Sequence, residues 1–233
     1  MACLLAMANR PAERSVLRYP LDRILGNLTH VRVLRELLVS GQSLTPSELA
    51  RRTGVSRQGV RAAVAMLETL QIVKGSGAAS GRACWINREH ALAAPLEGLF
   101  TAESNRHRRF LDAIAGIGAS PGLSVRGVWL YGSVSRGEDT PSSDIDVAVI
   151  VPDSAPQNAY SIVRSIVDKS FERIADVPSV VVLRPSEIAE LKRSNDPWWT
   201  AVKNEAVVLF GDSPEIVEQN PSTKSHRAGR VPA

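Results

Sequence analysis

Two cysteines in 233 residues, Cys3 and Cys84, leave little room for covalent cross-linking. Neither has a nearby Cys or His at ligand spacing, so a disulfide framework and a zinc site are both excluded and the thiols read as small packing residues. Aromatic residues are scarce, at 5%. No apolar run approaches the roughly 20 residues that cross a bilayer, so no membrane partner is expected. The opening "MACLLAMANR" has a short apolar run with no basic residue before it, a poor secretory signal, and the cytoplasm is the expected compartment. Internal repeats are missing as well. With 44% hydrophobic residues, the chain has material for two modest cores.

Charge is present, and unevenly. Residues 1–90 carry 13 Lys and Arg against 6 Asp and Glu, whereas residues 91–233 carry 15 against 18, so an excess of +7 in front meets −3 behind. Such asymmetry points to a polyanion-binding front module joined to something different.

The front module has helical punctuation. "HVRVLRELLVSG" places Val31, Leu34, Leu37 and Leu38 at helical spacing and stops at Gly41. In "LTPSELARRTG", Thr45 is an N-cap, Pro46 the first helical residue and Glu48 the third member of a capping box that ends at Gly54. "VSRQGVRAAVAMLETLQ" offers a second cap at Ser56 and a stripe through Val60, Val64, Leu67 and Leu70. Apolar runs at Ile72-Val73 and Ala83–Ile86, separated by a Gly/Ser/Ala tip, complete a two-stranded wing. The stretch from about Leu28 to His90 resembles a winged helix-turn-helix of the bacterial repressor type. The resemblance implies double-stranded DNA as partner: Arg57, Gln58 and Arg61 would face base edges, and Lys74 and Arg82 on the wing would lie near phosphates. It also implies a homodimer reading two half-sites, with the apolar helices after His90 as contact.

The second informative stretch is "LYGSVSRGEDTPSSDIDVAVI", Leu130–Ile150. An apolar strand should end at Gly132-Ser133, where a short helical turn would aim free backbone N–H groups at an anion. "DIDVAVIV" then makes a second strand with Asp144 and Asp146 on one face. Two carboxylates so placed repel each other unless a cation lies between them, and the arrangement asks for a metal.

Gly132-Ser133, Arg136-Gly137 and Ser143-Asp144-Ile145-Asp146 together resemble the signature of the polymerase-beta-like nucleotidyltransferase superfamily, above all its minimal members. The resemblance covers roughly residues 95–212. It implies that Gly132, Ser133, Arg136 and Ser143 hold a nucleoside triphosphate, and that Asp144 and Asp146 are catalytic and coordinate Mg²⁺ or Mn²⁺. It further implies transfer of a nucleoside monophosphate to a protein, RNA or small-molecule hydroxyl, in a toxin–antitoxin or defence setting with a partner encoded nearby. One departure stands out. The family often has a third carboxylate on the strand after the crossover helix, where this chain has Ser179 in "SVVVL", with Asp176 just upstream. The alternative is therefore a DNA-binding regulator whose transferase-like domain has lost catalysis and senses nucleotide or docks a partner.

The expected fold class is α+β: a winged helix-turn-helix domain followed by a small mixed-sheet nucleotidyltransferase domain flanked by helices. The expected division is a DNA-binding domain at 1–90, linking helices at 91–122, a transferase-like domain at 123–219 and a disordered tail at 220–233. Apolar spacing through Leu96, Leu99 and Phe100, and again through Phe110, Leu111 and Ile114, places helices in the link. Arg106, His107, Arg108 and Arg109 read as a solvated helix face, and Trp198 and Trp199 as core.

Overall fold

A computed structural model of the chain describes residues 15–77, 82–172 and 177–221. Cys3, the wing tip at 78–81, Asp176 and the tail from 222 lie outside the described residues. The chain divides into two compact units, residues 1–105 and 106–233.

The first unit begins with a single helical turn, α1 (Leu21–Ile24), and then α2 (Leu28–Ser40). Asn27 starts α2 by accepting from the Thr29 N–H at 2.7 Å, and left-handed Gly41 ends it. Helix α3 (Pro46–Thr53) has the full capping box of Thr45 and Glu48 and stops at Gly54. Ser56 caps α4 (Arg57–Thr69) by accepting from the Gly59 N–H at 3.1 Å. Strands β1 (Val73–Ser76) and β2 (Ala83–Ile86) pair antiparallel, Lys74 opposite Trp85. Leu34, Leu37, Leu49, Val60, Leu67 and Ile72 are fully or almost fully buried in the common core. At about 1.5–3 kcal/mol for each large apolar side chain, such burial is what holds three short helices together. Cys84 joins this core as a packing residue. Its thiol donates to the Leu44 carbonyl at 3.2 Å, and burial pushes its pKa up to about 11.

The link is one helix, α5 (Ala93–Ile117), where the spacing suggested more than one. Leu96 and Phe100 belong to the first core, and Phe110, Ile114 and Ile117 to the second. The polar residues between interrupt the apolar stripe without breaking the backbone, because no Pro lies between Pro95 and the end of the helix at Ile117. Leu99 is 54% exposed, a departure from the expected burial, since Leu96 and Phe100, four apart, define the packed stripe.

The second unit is a four-stranded sheet in the order β5-β4-β3-β6, from β3 (Gly127–Tyr131), β4 (Asp146–Ile150), β5 (Ser179–Leu183) and β6 (Val207–Gly211). Only β4 and β5 run parallel, and the crossover between them carries helix α7 (Ala159–Phe171); the five-residue α6 (Gly132–Arg136) follows β3 directly. Side chains alternate across the sheet. Val128, Leu130, Val147 and Val149 face a core with α5 and α7, where Phe110 meets Phe171 edge-on at 5.7 Å. Trp129, Tyr131, Ala148 and Ile150 face a core with α8 (Pro185–Arg193), α9 (Pro197–Glu205) and α10 (Pro214–Gln219). Glu218, almost buried on α10, ties α8 and α9 through Lys192 at 2.9 Å and Lys203 at 2.7 Å.

At one end of the sheet Arg126, 1% exposed, donates to the Asp212 carboxylate at 2.9 Å and to the Pro221 carbonyl at 2.9 Å. The Trp129 indole donates to the Asp212 carbonyl at 2.7 Å. These bonds satisfy a charge that burial would otherwise penalise by several kcal/mol, on the order of 3–5.

Candidate active site and nucleic-acid interface

At the opposite end of the sheet, β3 and β4 bring the Gly-Ser turn and the acids together. Tyr131, the last residue of β3, pairs with Asp146, the first of β4. The chain then turns at Gly132, whose φ of 77° suits glycine. A methyl group at Gly132 would come 2.5 Å from Oδ2 of Asp146. Glycine is therefore required twice there, by the backbone and by the carboxylate that lies against it.

Asp144 precedes β4 as the structure bounds it, yet the Ile145 carbonyl still accepts the Ser179 N–H at 2.8 Å, so strand pairing extends to it. Burial, and then the Asp144 charge, hold the Asp146 carboxyl above the usual range. Neither acid has a hydrogen bond or ion pair among the described residues, and among them no three His, Cys, Asp or Glu side chains form a metal-holding group. Ser179 is the register partner of Asp146 on parallel β5 and is exposed. The alternation that puts Val180 and Val182 on the other face places it on the side of Asp146.

The remaining triphosphate candidates divide. The Ser133 hydroxyl makes no hydrogen bond among the described residues, while its carbonyl accepts the Glu138 N–H at 2.9 Å and so closes α6. Arg136 is committed to Glu138 at 2.8 Å and to Glu205 on α9. The Ser143 hydroxyl accepts the Thr140 N–H at 2.9 Å and shapes the loop before the acids. Two aromatic residues, Tyr131 and Trp198, frame the site. Tyr131 is nearly buried, its phenol held above the ordinary range by burial and then by the Asp146 charge. Trp198 stands edge-on to it at 5.6 Å and is half-buried, whereas Trp199 is core, its indole nitrogen without a hydrogen-bond partner among the described residues. Alternation from Asp146 to its strand neighbour was the signal for Tyr131.

In the first unit, Arg57, Gln58 and Arg61 are all exposed on the first turns of α4. Lys74 is placed on β1, its ammonium 2.6 Å from Glu89, and Arg82, just before β2, lies 2.6 Å from Glu68 of α4.

Comparison with known proteins gives two family matches. The MarR family matches residues 27–83, and the nucleotidyltransferase domain family matches residues 112–211. Curated proteins give no match. A solved structure described as "Crystal structure of the toxin-antitoxin with AMP-PNP" aligns with a TM-score of 0.35 and 18% identity, covering 48% of this chain and 82% of that one. No helix among the described residues is long and apolar enough to cross a membrane. The chain thus carries a MarR-family winged-helix domain followed by a nucleotidyltransferase domain.

Proposed function

We propose that this chain is a divalent-metal-dependent nucleotidyltransferase coupled to DNA binding. The observation that carries the reading is the unneutralised pair Asp144 and Asp146 set against the backbone of Gly132-Ser133. Two carboxylates are a hard oxygen donor set, suited to Mg²⁺ or Mn²⁺, and Mg²⁺ commonly keeps several waters rather than demanding an all-protein shell. Bound between Asp144 and Asp146, the ion would neutralise the triphosphate and lower the pKa of the acceptor hydroxyl. The Ser133 hydroxyl and the close backbone at Gly132 would hold phosphate oxygens. In the reaction the acceptor oxygen forms a bond to the α-phosphorus, the bond from that phosphorus to the bridging oxygen breaks, pyrophosphate leaves, and the hydroxyl proton passes to solvent or a carboxylate. Arg57, Gln58 and Arg61 would read duplex DNA, with two copies on two half-sites. A transferase fused to a winged helix fits an operon that regulates itself, such as a toxin–antitoxin or defence pair whose partner protein is the acceptor.

The test incubates the full chain with Mg²⁺ and each α-labelled nucleoside triphosphate. Label transfer with pyrophosphate release is expected, and Asp144→Asn should lower it at least about 10³-fold, some 4 kcal/mol of transition-state stabilisation. Calorimetry finding neither metal nor nucleotide binding would overturn the reading. Ser179 beside Asp146, in place of an acid, favours a second reading: a nucleotide-sensing regulator, for which nucleotide would bind and no label would move.

A further inference from the structure

Two groups among the cations of the first unit contrast; Arg35, Arg52 and Arg88, off the wing, are paired with Glu103, Glu36 and Glu97, and Arg32 reaches the Thr53 carbonyl. On the wing, both cations are engaged. Lys74 is paired with Glu89, and Arg82 reaches Glu68 across Gly75, where a side chain would collide with both partners. The sequence "KGSGAASGR" from Lys74 to Arg82 contains no other basic residue, so the wing has no cation to spare. Arg82 is in effect a staple between wing and α4. The second group forms no ion pair or hydrogen bond with a carboxylate among the described residues: Arg57 and Arg61 on α4, Arg51 on α3 and Arg23 on α1. Glu48, one turn before Arg51 and lining the same groove, feels the Arg51 charge, but its carboxylate is held by the Thr45 cap at 2.7 Å.

Position matters as much as pairing. Arg51 and Arg57 line one groove of about 470 Å³ between α3 and α4. On the other flank, Arg23 lines a cavity of about 480 Å³ with Gly59, Ala62 and Met66 of α4. Asp22 shares that cavity and forms no ion pair with Arg23. Unpaired cations therefore bracket α4 on both sides. Phosphates lining a groove that accepts a helix are arranged in the same way, on both sides of it.

We propose that Arg51 and Arg23 are the phosphate clamps of this domain, one on each flank of α4, and that the wing cations Lys74 and Arg82 contribute no phosphate contact. The inference rests on the reading of the first unit as a DNA-binding domain. A paired cation must break its bond before meeting a phosphate, whereas Arg51 beside Arg57 is relieved of like-charge repulsion by one.

The salt dependence of binding counts such contacts. With the full chain and a mixed-sequence duplex of about 25 base pairs, each lost phosphate contact should flatten the slope of log K against log salt by about 0.9. Arg51→Ala and Arg23→Ala should each do so and weaken binding roughly eightfold at about 0.1 M salt, since 0.9 in the exponent is that factor. Lys74→Ala should leave the slope unchanged, and Glu89→Gln, which releases Lys74, should steepen it. Arg82→Ala should lower the melting temperature while leaving the slope alone. A slope that falls with Lys74→Ala and holds with Arg51→Ala and Arg23→Ala would overturn the inference. Wild-type protein that fails to bind the duplex even at low salt would overturn the DNA reading itself, and the clamp with it.

Discussion

Around the wing, opposite charges are matched: Lys74 with Glu89, Arg82 with Glu68. At the open end of the second unit's sheet, two like charges stand together with no ion pair among the described residues. Matched pairs at a surface contribute little, about 0–1 kcal/mol each, and chiefly fix geometry. Unmatched like charges cost stability, and a fold keeps them only where something else arrives to neutralise them. Within the second unit the contrast recurs at opposite ends of one sheet, Arg126 fully paired at one end and the aspartates unpaired at the other.

Three substitutions put that contrast to work. The largest effect is expected at the paired end: Arg126→Ala leaves the Asp212 carboxylate and the Pro221 carbonyl without their donor and should cost about 3–5 kcal/mol, read as a lower urea midpoint. An intermediate loss is expected from Gly132→Ala, about 1–3 kcal/mol for a left-handed residue whose methyl strikes Asp146, with the metal affinity falling alongside. The smallest effect has the opposite sign. In metal-free buffer Asp146→Asn should stabilise the protein slightly, read as a small rise in melting temperature, because it removes a partly desolvated charge and with it the repulsion from Asp144. Added Mg²⁺ should then raise the melting temperature of the wild type and leave that variant unmoved. A destabilised Asp146→Asn protein would mean that the acids are already neutralised, and the contrast would collapse.

Local chemistry was legible in the sequence. Caps at Thr45 and Ser56, the stops at Gly41 and Gly54, and the turn at Gly132 depend on residues within four positions of one another, and each stands where the spacing put it. So does the register of Ser179 with Asp146, since a parallel crossover fixes which strand ends meet. What the sequence hid was partnership at a distance. Arg126 and Asp212 are 86 positions apart, and Arg136 and Glu205 are 69 apart, with no periodicity to connect them. Lys74 and Arg82 announced positive charge but not Glu89 and Glu68, which only the hairpin and the end of α4 bring beside them. Helix α5 was hidden for a different reason. A stretch polar all round has no stripe to reveal that the helix continues through it.

The four tryptophans furnish the chain with its own optical gauges. Trp85 lies partly exposed on the wing, and Trp129 and Trp199 are packed in the core. Trp198, against the Tyr131 ring and thereby near Asp146, is the one whose surroundings an ion or a triphosphate at the acids would change under the proposed function. Replacing Trp85 with phenylalanine would take the wing's emission out of the spectrum. What occupies the sheet's open end could then be followed by fluorescence quenching and energy transfer from tyrosine, with no label attached.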